Sequence, residues 1–434
     1  MNSSSAKVTA PTVGYWQLIR QNDRFRRLWI AQLISAGGDW FNSVAVLGLV
    51  LQLTNSGLGA SLAILCNTLP SFFLIPYAGP IVDHFDRRTL MIGMNLFSAV
   101  IALLFIFVHD SRTLWLLYLA SVLLIVSASF FAPASSASIP NVVSSEELFA
   151  ANALSGVTWG VMVMVGSALG GLVSTLFGRD AAFIINALSF LIAAALIATV
   201  DIPSPQVERK ATPWRDFKEG LSYLRQYLPA LNLVGVETGW GIGAGVFVLL
   251  SVFGLQVFQA GDAGIGFLYA ARGLGAFIGP LFLRTLIGND IKKQRAAIWV
   301  SFLVAALGYA IFGLSGWLGS LLLGGLALLI AHIGGGTIWT VSNVMLQMTT
   351  PDRFRGRVFA VNFGLATLTT GVSTLLFGLA LQASESPMIL ALVGALLFGL
   401  YGIVWGIGAS YGPLRITEAT VAAGSEVNSG TTEQ

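Results

Sequence analysis

The sequence predicts an all-α membrane protein: twelve transmembrane helices in two pseudo-symmetric halves of six. Composition is the first reason. With 55% hydrophobic and 10% charged residues and a mean hydropathy of +0.80, the 434 residues carry too little polar side chain to cover a globule in water. The second reason is a regular recurrence of apolar runs long enough, at about 20 residues, to cross a bilayer. The third is that most of the charge falls in the intervals between those runs.

Residues 1–27 form an N-terminal tail. Its part from Tyr15 to Arg27 mixes Trp16, Leu18, Ile19 and Phe25 with Arg20, Arg24, Arg26 and Arg27, which suits a segment lying on an anionic surface. The tail is polar at its start and the first apolar run is long enough to span, so that run reads as a retained helix, not a cleaved signal. The first half, residues 28–200, has spans Leu28 to Leu53, Leu58 to Ala78, Thr89 to Val108, Leu114 to Ile139, Leu148 to Phe177 and Ala181 to Val200. Residues 201–228 form a polar connector. There Trp214, Phe217, Leu221 and Leu224 recur at helical spacing opposite Arg215, Lys218 and Arg225, which predicts an interfacial helix. The second half, residues 229–410, has spans Pro229 to Phe258, Ala263 to Leu286, Ala296 to Ser315, Leu318 to Met348, Arg357 to Gln382 and Met388 to Ser410, and residues 411–434 form a polar tail.

Very short turns alternate with longer charged loops. Of the 23 lysines and arginines, all but Arg112, Arg179 and Arg272 fall on the side of the longer loops. That asymmetry predicts a multi-pass protein of the plasma or inner membrane with both termini in the cytoplasm, and it accounts for the pI near 9.1 without nucleic acid. Cys66 is alone, so no intramolecular disulfide is available.

The most informative loop is GPIVDHFDRRTL, Gly79 to Leu90. Its spacing of Gly79, Asp83, Arg87 and Arg88 resembles the signature loop between helices 2 and 3 of major facilitator superfamily transporters. Two further runs are similar to one branch of that family, which contains macrolide, tetracycline and siderophore (enterobactin-type) exporters and lysophospholipid transporters. They are FFAPASSASIPNVVSSEELFAAN, Phe130 to Asn152, and MLQMTTPDRFRGRVFA, Met345 to Ala360. Both fall in loops that the charge asymmetry places inside. The resemblance implies a conformational latch across the two halves, formed by Gly79, Asp83, Arg87, Arg88, Arg355 and Arg357. An acid near the amino end of span 11 and arginines able to pair with it make physical sense of it. In span 5, GSALGG supplies Gly166, Ser167, Gly170 and Gly171 as a packing motif of small residues, with Ser167 where exporters of the family often carry proline.

Ionisable side chains inside a span cost about 3 kcal/mol each on insertion scales, which makes Asp39, Glu237, Arg272 and His332 the candidates for handling protons or substrate. Asp39 and Glu237 occupy corresponding helices, spans 1 and 7. A rise of 1.5 Å per residue sets them roughly 12 to 17 Å deep. A carboxyl group there can exchange a proton as its surroundings change. An alternative is that Glu237 pairs permanently with Arg272 and that Asp39 is hydrogen-bonded within span 1. The expected cavity wall comprises Trp40, Phe41, Asn42, Asn67, Trp240, Trp339, Asn343 and Asn362, a surface suited to bulky amphipathic ligands. No phosphate-binding loop and no metal-ligand cluster is present, so neither an enzyme nor a cofactor is expected. The sequence reading is therefore a monomeric secondary transporter, a proton-coupled exporter of amphipathic small molecules such as drugs, antibiotics or siderophores. A lysophospholipid transporter and a non-transporting receptor or scaffold are the alternatives.

Overall fold

A computed structural model of the chain describes residues 14–144, 146–203, 213–287, 290–383, 385–411 and 414–421. Twelve helices in it are long and apolar enough to cross a membrane: Asp23–Thr54, Gly57–Ala78, Arg87–Phe107, Leu114–Val142, Ala150–Phe177, Arg179–Ala198, Leu228–Val257, Gly261–Leu281, Ile291–Trp317, Leu321–Thr349, Phe354–Gln382 and Pro387–Ser410. They are spans 1 to 12. Among the described residues no strand occurs.

Local chemistry sets where several of them begin. Asn22 accepts a hydrogen bond from the Phe25 N–H ahead of span 1, Asp86 from Thr89 ahead of span 3, and Asp290 from Lys292 and Lys293 ahead of span 9. Span 1 ends at Asn55, whose φ of 47° is a left-handed stop. The connector does contain a helix, Pro213–Gln226, with Tyr223 and Leu224 buried.

Two spans are interrupted where the sequence alone suggests continuous helices. Span 2 stops at Cys66 and restarts at Leu69, with Pro70 at the start of the second segment. Span 7 passes through a 3-10 turn at Ala244–Val246 and a π-helical stretch at Phe253–Val257. The glycine-rich run Gly239 to Gly245 weakens the helix there, and Ser373 of span 11 re-satisfies its backbone. The Ser373 hydroxyl accepts from the Gly245 N–H at 3.0 Å and donates to the Ile242 carbonyl at 2.5 Å.

The two halves repeat one packing plan. In the first half span 1 packs on spans 5 and 6, span 3 on spans 4 and 6, and span 2 on span 4; adding six to each number gives the main helix pairs of the second half. The halves meet through spans 5 and 8 and through spans 2 and 11, which are related by the same rule. Large apolar side chains such as Val100, Leu188, Leu322 and Val404 stand exposed along the outer faces, the surface lipid covers.

Candidate functional site

Glu237 is 2% exposed, and both oxygens of its carboxylate are occupied by donors from other helices. Oε1 accepts from the Asn343 side-chain amide at 2.7 Å and the Ser342 hydroxyl at 3.3 Å, both on span 10. Oε2 accepts from the Asn362 amide of span 11 at 2.7 Å. Three spans of the second half thus converge on one acid. Every one of those donors is neutral. Arg272 is not among them, so the alternative of a permanent ion pair is not formed: Arg272 instead lies over the rings of Phe247 and Tyr269, 4.1 and 5.6 Å from their centroids.

Glu237 also forms part of the wall of a cavity of about 120 Å³, together with Trp240, Trp339, Phe363, Ala366, Thr367, Thr370 and Thr68. Thr68 belongs to span 2 and the others to the second half, so the cavity lies between the halves. Its position follows from the break in span 2: the Thr68 hydroxyl donates to the carbonyls of Ile64 and Leu65, within the turn where the helix stops. At this volume the cavity is smaller than the 300 Å³ or so at which ligand pockets begin.

Of the residues expected on the wall, Trp240 and Trp339 line it, and Asn343 and Asn362 hold the acid that lines it. Trp40, Phe41, Asn42 and Asn67 do not. The reason lies in span 5. A Cβ at Gly166 would come within 2.8 Å of the Trp40 Cβ, and one at Gly170 within 2.7 Å of the Phe41 Cα, so glycine lets span 1 press against span 5 at these residues. A Cβ at Gly171 would lie 2.6 Å from the Asp262 carbonyl oxygen on span 8, so the same motif serves both a contact within the half and one between halves. Ser167 is buried between them with its hydroxyl unpartnered. Asn42 is buried, and the Asn67 amide turns back to the Ala63 carbonyl.

Asp39 has no hydrogen bond or ion pair to its carboxylate among the described residues; the Ser43 hydroxyl bonds to its backbone carbonyl, not to its side chain. His332 is buried, shares a 2.9 Å hydrogen bond with the Tyr309 hydroxyl, and meets Trp240 edge-on at 5.7 Å.

At the end of the bundle that carries the termini, Arg357 pairs with Glu219 of the connector helix at 2.8 Å, a partner the sequence reading missed. Gly220 allows that helix against span 11, since a Cβ there would lie 2.8 Å from the Arg357 carbonyl oxygen. Arg355 donates to the Gln347 carbonyl at 3.4 Å. Arg87 donates to Ala137 at 2.7 Å and Arg88 to Ala198, both within the first half. The surroundings of Gly79 and the side chain of Asp83 lie outside what the structure describes.

The opposite end holds polar contacts between halves that sequence reasoning did not single out. Arg179 of span 6 makes a bidentate pair with Asp262 of span 8 at 2.7 and 2.9 Å and also donates to Gln52. Gln256 donates to Asn55 at 3.0 Å, and Ser56 to Gln382 at 2.8 Å. An arginine and an aspartate in the short turns GRD, between spans 5 and 6, and GDA, between spans 7 and 8, were the available signal.

A family model described as Major Facilitator Superfamily matches residues 28–374. The chain belongs to the major facilitator superfamily. It is 24% identical over 366 residues to Macrolide efflux protein A of Streptococcus pyogenes, covering 82% of this chain and 89% of that protein. To the uncharacterized MFS-type transporter YfiS of Bacillus subtilis it is 27% identical over 371 residues, covering 81% and 85%. Among solved structures, a POT family transporter in complex with 5-aminolevulinic acid aligns with a TM-score of 0.71 at 11% identity, over 91% of this chain and 97% of that one. A bacterial homologue of the iron transporter ferroportin in an inward-facing state aligns with a TM-score of 0.66 at 16% identity, over 88% and 98%. This superfamily member is thus a multi-pass membrane transporter.

Proposed function

We propose that this chain is a proton-coupled exporter of amphipathic small molecules that works by alternating access, with both termini in the cytoplasm. The observation that carries the reading is Glu237: a buried carboxyl group on the wall of an inter-half cavity, bonded to neutral donors from two other helices and to no cation. A carboxylate locked to an arginine is held in one charge state. One surrounded by amides and a hydroxyl can gain or lose a proton and rearrange its partners, which links protonation to the relative positions of spans 7, 10 and 11.

The aromatic wall of Trp240, Trp339 and Phe363 supplies area for an apolar body. A cavity of about 120 Å³ has to widen before a bulky substrate fits, so binding goes with a parting of the halves. The Arg179 to Asp262 pair and its neighbours hold the far end together, and the connector helix, which packs on spans 2 and 11, braces the end with the termini. Efflux as the direction rests on the likeness to the macrolide efflux protein.

The test is transport in vesicles containing the purified chain, with an imposed pH gradient and a panel of fluorescent amphipathic drugs alongside labelled lysolipid. Drug movement that follows the gradient and collapses with a protonophore is the expected result. Lysolipid movement alone would replace the reading with a lipid transporter, and saturable binding without flux with a receptor.

A further inference from the structure

Arg272 is a largely buried cation for which the described residues supply no counter-charge. It is the twelfth residue of span 8, about 17 Å along the helix from its first residue, and so lies at the depth where charge is most costly. Its Nε is buried without a hydrogen-bond partner. Among the described residues no carboxylate pairs with it: Glu237 is taken up by Ser342, Asn343 and Asn362, and Asp262 by Arg179. The Asp39 carboxylate pairs with none of the described residues, Arg272 included. The titratable side chains near enough to interact with Arg272 are Tyr269, Tyr309 and His332, none an acid at neutral pH. Cation–π contacts with Phe247 and Tyr269 recover only part of what a guanidinium costs at mid-span. The side chain as a whole is partly accessible, although its Nε is not.

Its position relates it to the cavity. The Phe247 ring beneath the guanidinium lies 6.4 Å from the ring of Trp240, which lines the cavity three residues after Glu237. On the other side Tyr269 lies 5.9 Å from Trp40 of span 1, so Arg272 stands where the two halves meet. The Trp240 and Phe247 rings thus link the cavity that Glu237 lines to Arg272, and neither charge neutralises the other.

We infer that Arg272 is the anion-binding pole of the translocation site. The cargo is an amphipathic molecule with an apolar or aromatic body and a carboxylate or comparable planar anion. Its body lies against Trp240 and its anion takes up the N–H groups of Arg272, the planar fork for which guanidinium is suited. This assignment rests on the exporter reading for the site's role, and adds the substrate class to it.

The test uses the purified full chain and measures thermal stabilisation by matched acid and amide probes: 1-naphthylacetate with 1-naphthylacetamide, indole-3-acetate with indole-3-acetamide, and 4-phenylbutyrate with 4-phenylbutyramide. In at least one pair the acid should reach half-maximal stabilisation at a concentration at least tenfold below its amide. Arg272→Gln should bring the two within twofold of one another, and Arg272→Lys should keep part of the preference. Absence of acid preference in every pair on the unmodified chain overturns the assignment, whether or not the variants fold. Persistence of the preference in Arg272→Gln overturns it as well. Equal protection by chloride or inorganic phosphate would make this an inorganic-ion site, and normal transport by Asp39→Asn/Arg272→Gln would make the two residues a charge pair; either result removes the proposal. Acid preference in a protein that shows no proton-driven flux would sink the exporter reading and leave the anion site standing.

Discussion

Asp39 and Glu237 are the same kind of residue in corresponding helices of two repeated halves, yet the structure treats them differently. Glu237 draws hydrogen bonds from spans 10 and 11, while the Asp39 side chain draws none among the described residues. The second half has arranged Ser342, Asn343 and Asn362 around its acid. In the first half Trp40, the next residue after Asp39, is instead occupied with span 5 and Tyr269. An acid at the right depth is a necessary feature of a proton site, but what surrounds it decides whether protonation can move anything else. Glu237 can pass a change in its charge to two neighbouring helices directly; Asp39 has no such route.

The largest effect expected from this contrast is on transport. Glu237→Gln should reduce pH-gradient-driven flux in vesicles at least a hundredfold, with the chain still folded because an amide can replace most of the hydrogen bonding; flux within twofold of the unmodified chain would remove Glu237 from the proton path. Asp39→Asn should cost about tenfold in the same assay and leave the melting temperature unmoved, since no side-chain partner is lost. If Asp39→Asn abolished flux and Glu237→Gln spared it, the contrast between the halves would be inverted.

Smaller effects sharpen the account of why Glu237 is special. Asn362→Ala leaves Oε2 of a buried carboxylate without its donor, which costs about 1 to 3 kcal/mol. A drop of several degrees in the thermal midpoint is expected, and most of it should vanish in a Glu237→Gln background, as a double-mutant cycle would reveal. The smallest effect concerns access to the acid from the far end. Arg179→Gln weakens the pair with Asp262, and a bias of about 1.4 kcal/mol toward a parted far end corresponds to tenfold in population. A Ser56→Cys reporter in a Cys66→Ser background should then label about tenfold faster; an unchanged rate would mean that the pair does not hold the halves together.

Much of the fold could be read without coordinates, because hydrocarbon imposes a strict rule: about 20 apolar residues for each crossing, with charge between. The twelve spans lie within a few residues of the expected limits at most of their ends. The amphipathic spacing from Trp214 to Leu224 likewise announces the connector helix. The candidate site was legible only in pieces. Glu237, Trp240, Trp339, Asn343 and Asn362 stand out as polar or aromatic residues in apolar runs, but nothing in a linear sequence says that spans 7, 10 and 11 bring four of these five onto or around one carboxylate. The breaks in spans 2 and 7 were missed for a related reason: Pro70 and the glycines of span 7 permit a break, while packing and Ser373 decide that it occurs there.

By itself, then, the sequence determined which segments enter the membrane, how many there are, which family they belong to and which side chains are too costly to be there without a purpose. The spans, their number and the cost of those side chains follow from transfer between water and hydrocarbon, a property of local composition, while the family follows from the resemblance of three loop runs. Only the tertiary structure decided that Glu237 is held by amides and not by Arg272, that Trp40 and Phe41 serve helix contact and not the cavity, and that Arg357 reaches Glu219. Those outcomes depend on hydrogen bonds, ion pairs and steric contacts effective over a few ångströms between residues up to 138 positions apart in the chain, distances that only the packing of the helices can close.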